Sequence, residues 1–316
     1  MNDQVRLFYG RDVLVALREL EDESIQCVVT SPPYWRLRDY GVKGQIGLER
    51  TPEKYVARIV EVFREVRRVL RTDGVLWLVI GDSSPKKNLV GIPWMLAFAL
   101  RADGWLLRSD IIWSKSNGMP ESVKDRPTRA HEYIFLFSKS KRYFYDSKAI
   151  HENATSEPII PWSERKASGE MTRHGGSFNA PALNGKRKVL SEGQSKLGSL
   201  RDKQRGHSRR HAGFNARWDK MTRDEQTSNG RNKRSVWTIA TQPYPEAHFA
   251  TFPREIPRLC ILAGTPPNGV VLDPFSGSGT TGEVAVGLGR KFIGIDLNKK
   301  YLALAKKRIG LFACAS

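Results

Sequence analysis

Val270-Val271-Leu272-Asp273-Pro274-Phe275-Ser276-Gly277-Ser278-Gly279-Thr280-Thr281 is the stretch on which the fold turns. Three apolar residues of strand type run into an acid, a proline and a glycine-rich turn, and a helical pattern follows. Glycine lets the backbone approach a ligand closely, and the helix start aims N–H groups at it. A G-x-G alone recurs in many turns. What sharpens it is the next apolar run, Lys291–Asp296, which ends in an acid 23 residues beyond Asp273. An acid at the tip of a second parallel strand is placed to accept hydrogen bonds from ribose hydroxyls. The alternative reading is a tight strand-to-helix turn, with Asp296 capping the following helix.

Outward from this core the pattern repeats. The sequence predicts strands at Ile25–Val29, Val75–Ile80, Leu106–Trp113, Tyr133–Ser138, Gly269–Asp273 and Lys291–Asp296. Helices are expected at Pro52–Leu70, Pro93–Ala102, Arg254–Gly264, Gly279–Gly289 and Leu297–Ile309. Within the first helix Tyr55, Ile59, Val62, Phe63, Val66, Val69 and Leu70 recur at helical spacing, Thr51 is placed to cap it, and Thr72-Asp73-Gly74 to close it. Strands that are apolar without alternation, separated by helices, imply a mostly parallel sheet covered on both faces.

A second motif, Thr30-Ser31-Pro32-Pro33-Tyr34-Trp35, also sits at a predicted strand end. Its prolines stiffen an extended loop and hold a hydroxyl, a carbonyl and an aromatic ring in a set geometry. Such a set suits a planar base bearing an amino group: oxygens accept its N–H bonds and Tyr34 offers a face for stacking. The plainer reading is a stiffened strand exit with a core tyrosine.

The middle of the chain differs. The 316 residues carry 52 Lys and Arg against 33 Asp and Glu, a formal charge of +19. Between Glu164 and Val236 there are 18 basic and 7 acidic residues, so a surplus of 11 lies in 73 residues. That stretch is rich in Gly, Ser and Asn. It reads either as a solvated linker or as a segment that orders on a polyanion, and the two are compatible. No apolar run suffices to span a bilayer; Leu89–Leu100 is broken by Gly91 and Pro93. Residues 1–12 show no charged start followed by an apolar stretch, so no secretion signal is expected. Cys27, Cys260 and Cys314 are far apart and form no CxxC pair, so neither a disulfide framework nor a four-ligand zinc site is expected, and no metal is assigned.

Together, D-P-F-x-G-x-G-T-T with a later strand-end acid and T-S-P-P-Y-W resemble the amino-methyltransferases of DNA that use S-adenosylmethionine. The serine-proline motif precedes the cofactor motif by 242 residues, with the basic segment between. This order resembles the circularly permuted β group of that family. Tyr9–Leu14 is similar to the family's adenine-side cofactor segment, His248–Pro253 to its methionine-side segment, and Arg129–Phe135 to the border of the target-base pocket. The resemblance implies a Rossmann-like class I methyltransferase fold. Residues 1–146 and 237–316 would form its two halves around a target-recognition insertion at 147–236.

It further implies catalytic Ser31, Pro32, Pro33 and Tyr34, with cofactor contacts from Asp12, Thr30, His248, Thr251, Asp273, Pro274, Phe275, Gly277, Gly279, Thr280 and Asp296. Duplex DNA would be the partner, with base flipping to expose the target. Ser at the first motif position is mostly the mark of N4-cytosine enzymes, Asp or Asn of N6-adenine enzymes, so N4-cytosine is favoured and N6-adenine is the alternative. A homodimer and a restriction endonuclease acting on the same site belong to the same implication, as does a cytoplasmic, nucleoid-associated protein of a prokaryote or phage. Three competing readings are weaker. Cytosine C5 methylation needs a thiolate nucleophile, usually beside proline, and no cysteine here is so placed. A non-catalytic DNA-binding protein would have no need of Ser31, Tyr34, Asp273 and Asp296 together. RNA methylation fits the inserted region less well. His131 and Glu132 are expected to be structural or base-pocket residues, and Asp82 faces the ligand-bearing edge with its role open.

Overall fold

The computed structural model describes residues 4–83, 88–152, 230–242 and 252–310. The chain divides into two units, residues 1–150 with 232–316, and residues 151–231. Of the second unit only His151, Glu152, Gly230 and Arg231 are described, joined by an isolated bridge between Glu152 and Arg231.

The first unit is an α/β layer structure. Its elements are β1 (Val5–Tyr9), α1 (Val13–Arg18), β2 (Ile25–Thr30), α2 (Pro52–Val69), β3 (Leu70–Ile80), α3 (Ile92–Ala102), β4 (Leu106–Ser114) and β5 (His131–Ser138). They continue with β6 (Val236–Thr238), α4 (Glu255–Gly264), β7 (Val270–Asp273), α5 (Thr280–Gly287), β8 (Lys291–Asp296) and α6 (Tyr301–Ile309). One eight-stranded sheet runs in the order β1-β8-β7-β2-β3-β5-β4-β6. All neighbours are parallel except β5, which is antiparallel to both β3 and β4.

The central strands are apolar throughout because both faces are covered. All six residues of β2 are buried. Val28, Leu76, Leu78 and Ile80 pack on one face with α1, α2 and α3. Cys27, Val29, Val75, Trp77 and Val79 pack on the other with α4 and Ala285 of α5. Each such Val, Leu or Ile contributes about 1.5–3 kcal/mol of burial free energy, so the sheet centre anchors the unit.

Most boundaries match the sequence reading, and the differences have local causes. The expected helix end at Thr72–Gly74 falls inside β3: α2 stops at Val69 and Leu70 turns directly into the strand. Leu70 pairs with Ile25, and residues 71–74 fall in the register shift before Val75 pairs with Cys27. The last helix starts at Tyr301, not Leu297, because the Asp296 side chain accepts the Asn298 N–H and holds a turn there. β1, α1 and the three-residue β6 are additional elements.

Candidate active site

β2 and β7 are neighbours in the sheet, Cys27 beside Val271 and Val28 beside Leu272, so the two motifs leave it side by side. Thr30, last in β2, donates from Oγ1 to Asp273 Oδ1 at 2.7 Å. Asp273 ends β7 and is only 1% exposed. Its carboxylate also accepts from Phe275 N–H at 3.1 Å and Thr281 Oγ1 at 2.6 Å. Burial pushes its pKa up to about 6 even though these three donors favour the ionised form. Thr30 and Asp273 thus lie beneath the site and join its halves.

On the glycine side, Gly277 and Gly279 adopt φ of +50° and +83°. Gly279 is the residue before α5, and a Cβ there would lie 3.1 Å from Ala305, so the conformation and the packing both favour glycine. Tyr9, from the end of β1, donates to the Gly277 carbonyl at 2.9 Å, and its Oη lies 3.1 Å from Ser276 Oγ. Burial raises its phenol well above the ordinary range, so the hydroxyl remains a donor. Asp296, at the tip of β8, accepts from Gly277 N–H at 2.8 Å and Asn298 N–H at 2.7 Å. Burial pushes its pKa up to about 6 as well. Asp12 caps α1, accepting from Leu14 and Val15 N–H.

On the proline side, the Pro33 carbonyl accepts from Tyr55 Oη at 2.9 Å. Tyr34 Oη donates to Glu132 Oε2 at 2.5 Å, and Ser31 Oγ lies 3.4 Å from the same phenol. Burial and the neighbouring Glu132 carboxylate hold the Tyr34 phenol well above its usual pKa. A Cβ on Gly81 would come within 2.7 Å of the Tyr34 ring, so the ring packs directly on the backbone at the end of β3. Glu132 also pairs with Lys115 Nζ at 2.5 Å.

Both motifs open into a single cleft of about 730 Å³. Asp12, Ser31, Pro32, Pro33, Tyr34, Pro274, Phe275, Gly277, Thr280 and Asp296 all line it. Of the other expected site residues, Thr30 and Asp273 lie under its floor and Gly279 turns behind it, while His248 and Thr251 fall outside the described residues. Sequence reasoning does not single out Lys115, Tyr40, Asn298 or Tyr301, which also line the cleft. It reaches Tyr9 only as part of a cofactor segment; the hydroxyl bond of Tyr9 to Ser276 spans 267 residues and carries no local signal. The role of Asp82 is structural, since it accepts from Ser83, Gly91 and Ile92 N–H and so holds the start of α3. His131 is exposed and edge-on to Tyr133, whereas Glu132 faces the cleft. Cys27 and Cys260 are fully buried away from it, and burial raises the Cys27 thiol to about 12. Cys314 is outside the described residues.

Known proteins resemble this chain in sequence and in fold. Over 94% of this chain and 88% of its own length, the type II methyltransferase M.SmaI of Serratia marcescens is 42% identical, across 327 aligned residues. The solved PvuII DNA methyltransferase, described as cytosine-N4-specific, superposes with a TM-score of 0.60 at 21% identity, over 96% of this chain and 86% of that one. M1.HpyAVI, solved as a complex with SAM, gives a TM-score of 0.54 at 16% identity, over 96% and 98% of the two chains. These structural likenesses establish the class I methyltransferase fold. Residues 25–307 match the N6/N4 methyltransferase model described as DNA methylase, and the chain belongs to that family of DNA methylases.

Proposed function

We propose that the protein transfers a methyl group from S-adenosylmethionine to the exocyclic N4 amine of cytosine in duplex DNA. The observation that carries this reading is the meeting of the Ser31–Tyr34 loop and the Pro274–Gly277 turn in one cleft, from adjacent strand ends. The residues present fit the cofactor. Asp296 lines the cleft with its carboxylate oriented by two backbone N–H groups, as ribose recognition requires. Val13, Phe275 and Tyr301 supply apolar wall for a purine. When bound, the cofactor supplies an electrophilic methyl carbon on a sulfonium.

The remaining chemistry belongs to this chain. An exocyclic amine is a weak nucleophile because its lone pair is delocalised into the ring. Ser31 Oγ and the Pro32 carbonyl would accept its two N–H bonds and aim the lone pair at the methyl carbon. Tyr34, clamped by Glu132 and Gly81, would stack on the base once it is flipped from the duplex. Positioning and electrostatics then carry the rate, with no covalent intermediate on the protein. Asp12, Pro274, Thr280 and, by the resemblance, His248 and Thr251 complete the cofactor side; Thr30, Asp273 and Gly279 support it from below. Residues 1–146 and 237–316 constitute the methyltransferase unit in this reading. The basic 147–236 segment meets DNA phosphates, whose contacts give affinity and register.

Ser31 and the N4-specific description of the PvuII enzyme both support cytosine. Relatives bearing type II names support a modification role opposite a restriction endonuclease that cleaves the same site. The test is incubation with tritiated S-adenosylmethionine and genomic DNA, followed by nucleoside mass spectrometry. N4-methylcytosine is the expected product. N6-methyladenine would overturn the base assignment and leave the geometry of transfer standing, and DNA without label would overturn the reading.

A further inference from the structure

We propose that Lys115 reads the ring nitrogen beside the target amine, donating a hydrogen bond that selects amino bases over keto bases. This rests on the amino-methyltransferase reading and extends it to a residue outside both motifs. Antiparallel pairing of β4 with β5 sets Trp113 opposite Glu132 and Ser114 opposite His131, and Lys115 N–H bonds the Ala130 carbonyl at 2.8 Å. That register carries Lys115 and Glu132 to the same end of the sheet as Ser31 and Tyr34, and all four line the cleft. Lys115 Nζ lies 2.5 Å from Glu132 Oε1, and Glu132 Oε2 accepts from Tyr34 Oη, so the ammonium is tied to the base-stacking ring through one carboxylate. Trp113 packs beneath it, the ring centroid 4.9 Å from Nζ.

An ammonium has three N–H donors, and Glu132 takes one. Beside it, Tyr34 Oη donates to Glu132 and the Asn117 amide donates to the Thr241 carbonyl. In cytosine and in adenine, the carbon bearing the amine is bonded to a ring nitrogen with an in-plane lone pair. Once Ser31 Oγ and the Pro32 carbonyl accept the amine hydrogens, that lone pair has lost its duplex partner and needs a donor. Lys115 supplies it. Thymine and guanine carry an N–H at the equivalent position and a carbonyl in place of the amine, so they would set donor against donor at Lys115 and acceptor against acceptor at the Pro32 carbonyl.

The experiment uses the full chain and a duplex oligonucleotide containing its methylated site, with the target cytosine replaced by 3-deazacytosine (1-deazaadenine if the target is adenine). In the wild-type protein the analogue should lower kcat/KM roughly ten- to hundredfold, the range for a lost charge-assisted hydrogen bond. Lys115→Met should show a comparable loss on the natural oligonucleotide and no further loss on the analogue. Equal losses in both proteins, or wild-type indifference to the analogue, would overturn the role of Lys115. The analogue arm in wild type needs no variant, so a folding defect in Lys115→Met cannot mask that result. Absence of methylation on the natural oligonucleotide would instead sink the underlying reading.

Discussion

Two adjacent strands leave this sheet by opposite chemistries. β2 runs into Pro32 and Pro33, whose rings restrict the backbone themselves, and the loop presents oxygen: a hydroxyl at Ser31 and a carbonyl at Pro32. β7 runs into a turn with glycines at φ of +50° and +83°, where the chain curls under neighbours that hold it. A tyrosine steadies each side. Tyr34 anchors its own loop by reaching across to Glu132, while Tyr9 comes from β1 to hold Ser276 and Gly277. The difference assigns two kinds of work. In the proposed reading the proline side would accept hydrogens from a reacting group, and the glycine side would enclose a ligand that must bind and leave.

Substitutions should therefore separate turnover from cofactor binding. Ser31→Ala is expected to have the largest effect, lowering single-turnover rate about a hundredfold while calorimetric cofactor affinity stays at the wild-type value. A matching loss of affinity would erase the distinction between the two sides. Asp296→Asn should do the reverse, weakening cofactor binding about tenfold with a smaller effect on saturated turnover. Its pH dependence sharpens the point. The folded Asp296 has a pKa of about 6, above the unfolded value of about 4, so its neutral form is the one the fold favours. Falling pH from 6 toward 4 should then stabilise the unliganded protein through this group while weakening cofactor binding, because a protonated carboxyl is a poorer acceptor for ribose hydroxyls. The affinity loss should be present in wild type and absent in Asp296→Asn when titrated between pH 5 and pH 8. Thr30→Val should have the smallest effect, about 1 kcal/mol in a urea melt, because Asp273 keeps two of its three donors.

What can be read in the chain follows the range of each interaction. Buried strands such as Val75–Ile80 and the glycine turn after Asp273 carry their signal within a few residues, and both lie where expected. The stretch Val5–Tyr9 is harder to read, because Arg6 breaks its apolar run and the strand exists by pairing with β8. β6 has three residues and forms on Ile112–Ser114, with too few positions to show a period. The direction of β5 is equally silent, since an apolar run looks the same in either sense. Yet that direction places Glu132 against Tyr34 and Lys115. The ring of Tyr34 is legible from its motif; the clamp on its hydroxyl is not, since it comes from a residue 98 positions away.

The seam between β2 and β7 also has a consequence in time. A ribosome completes β2 more than two hundred residues before it begins β7, and β1 must wait longer still for β8. Until then the Ser31–Tyr34 loop has its own rigidity and β3 beside its strand, but no β7 on the other side, no Asp273 beneath it and no Asp296 across from it. Contacts of such separation also slow folding. A nascent chain can hold half of the chemistry for most of its synthesis and methylate nothing, and the mark on DNA is written only by molecules whose two ends have met.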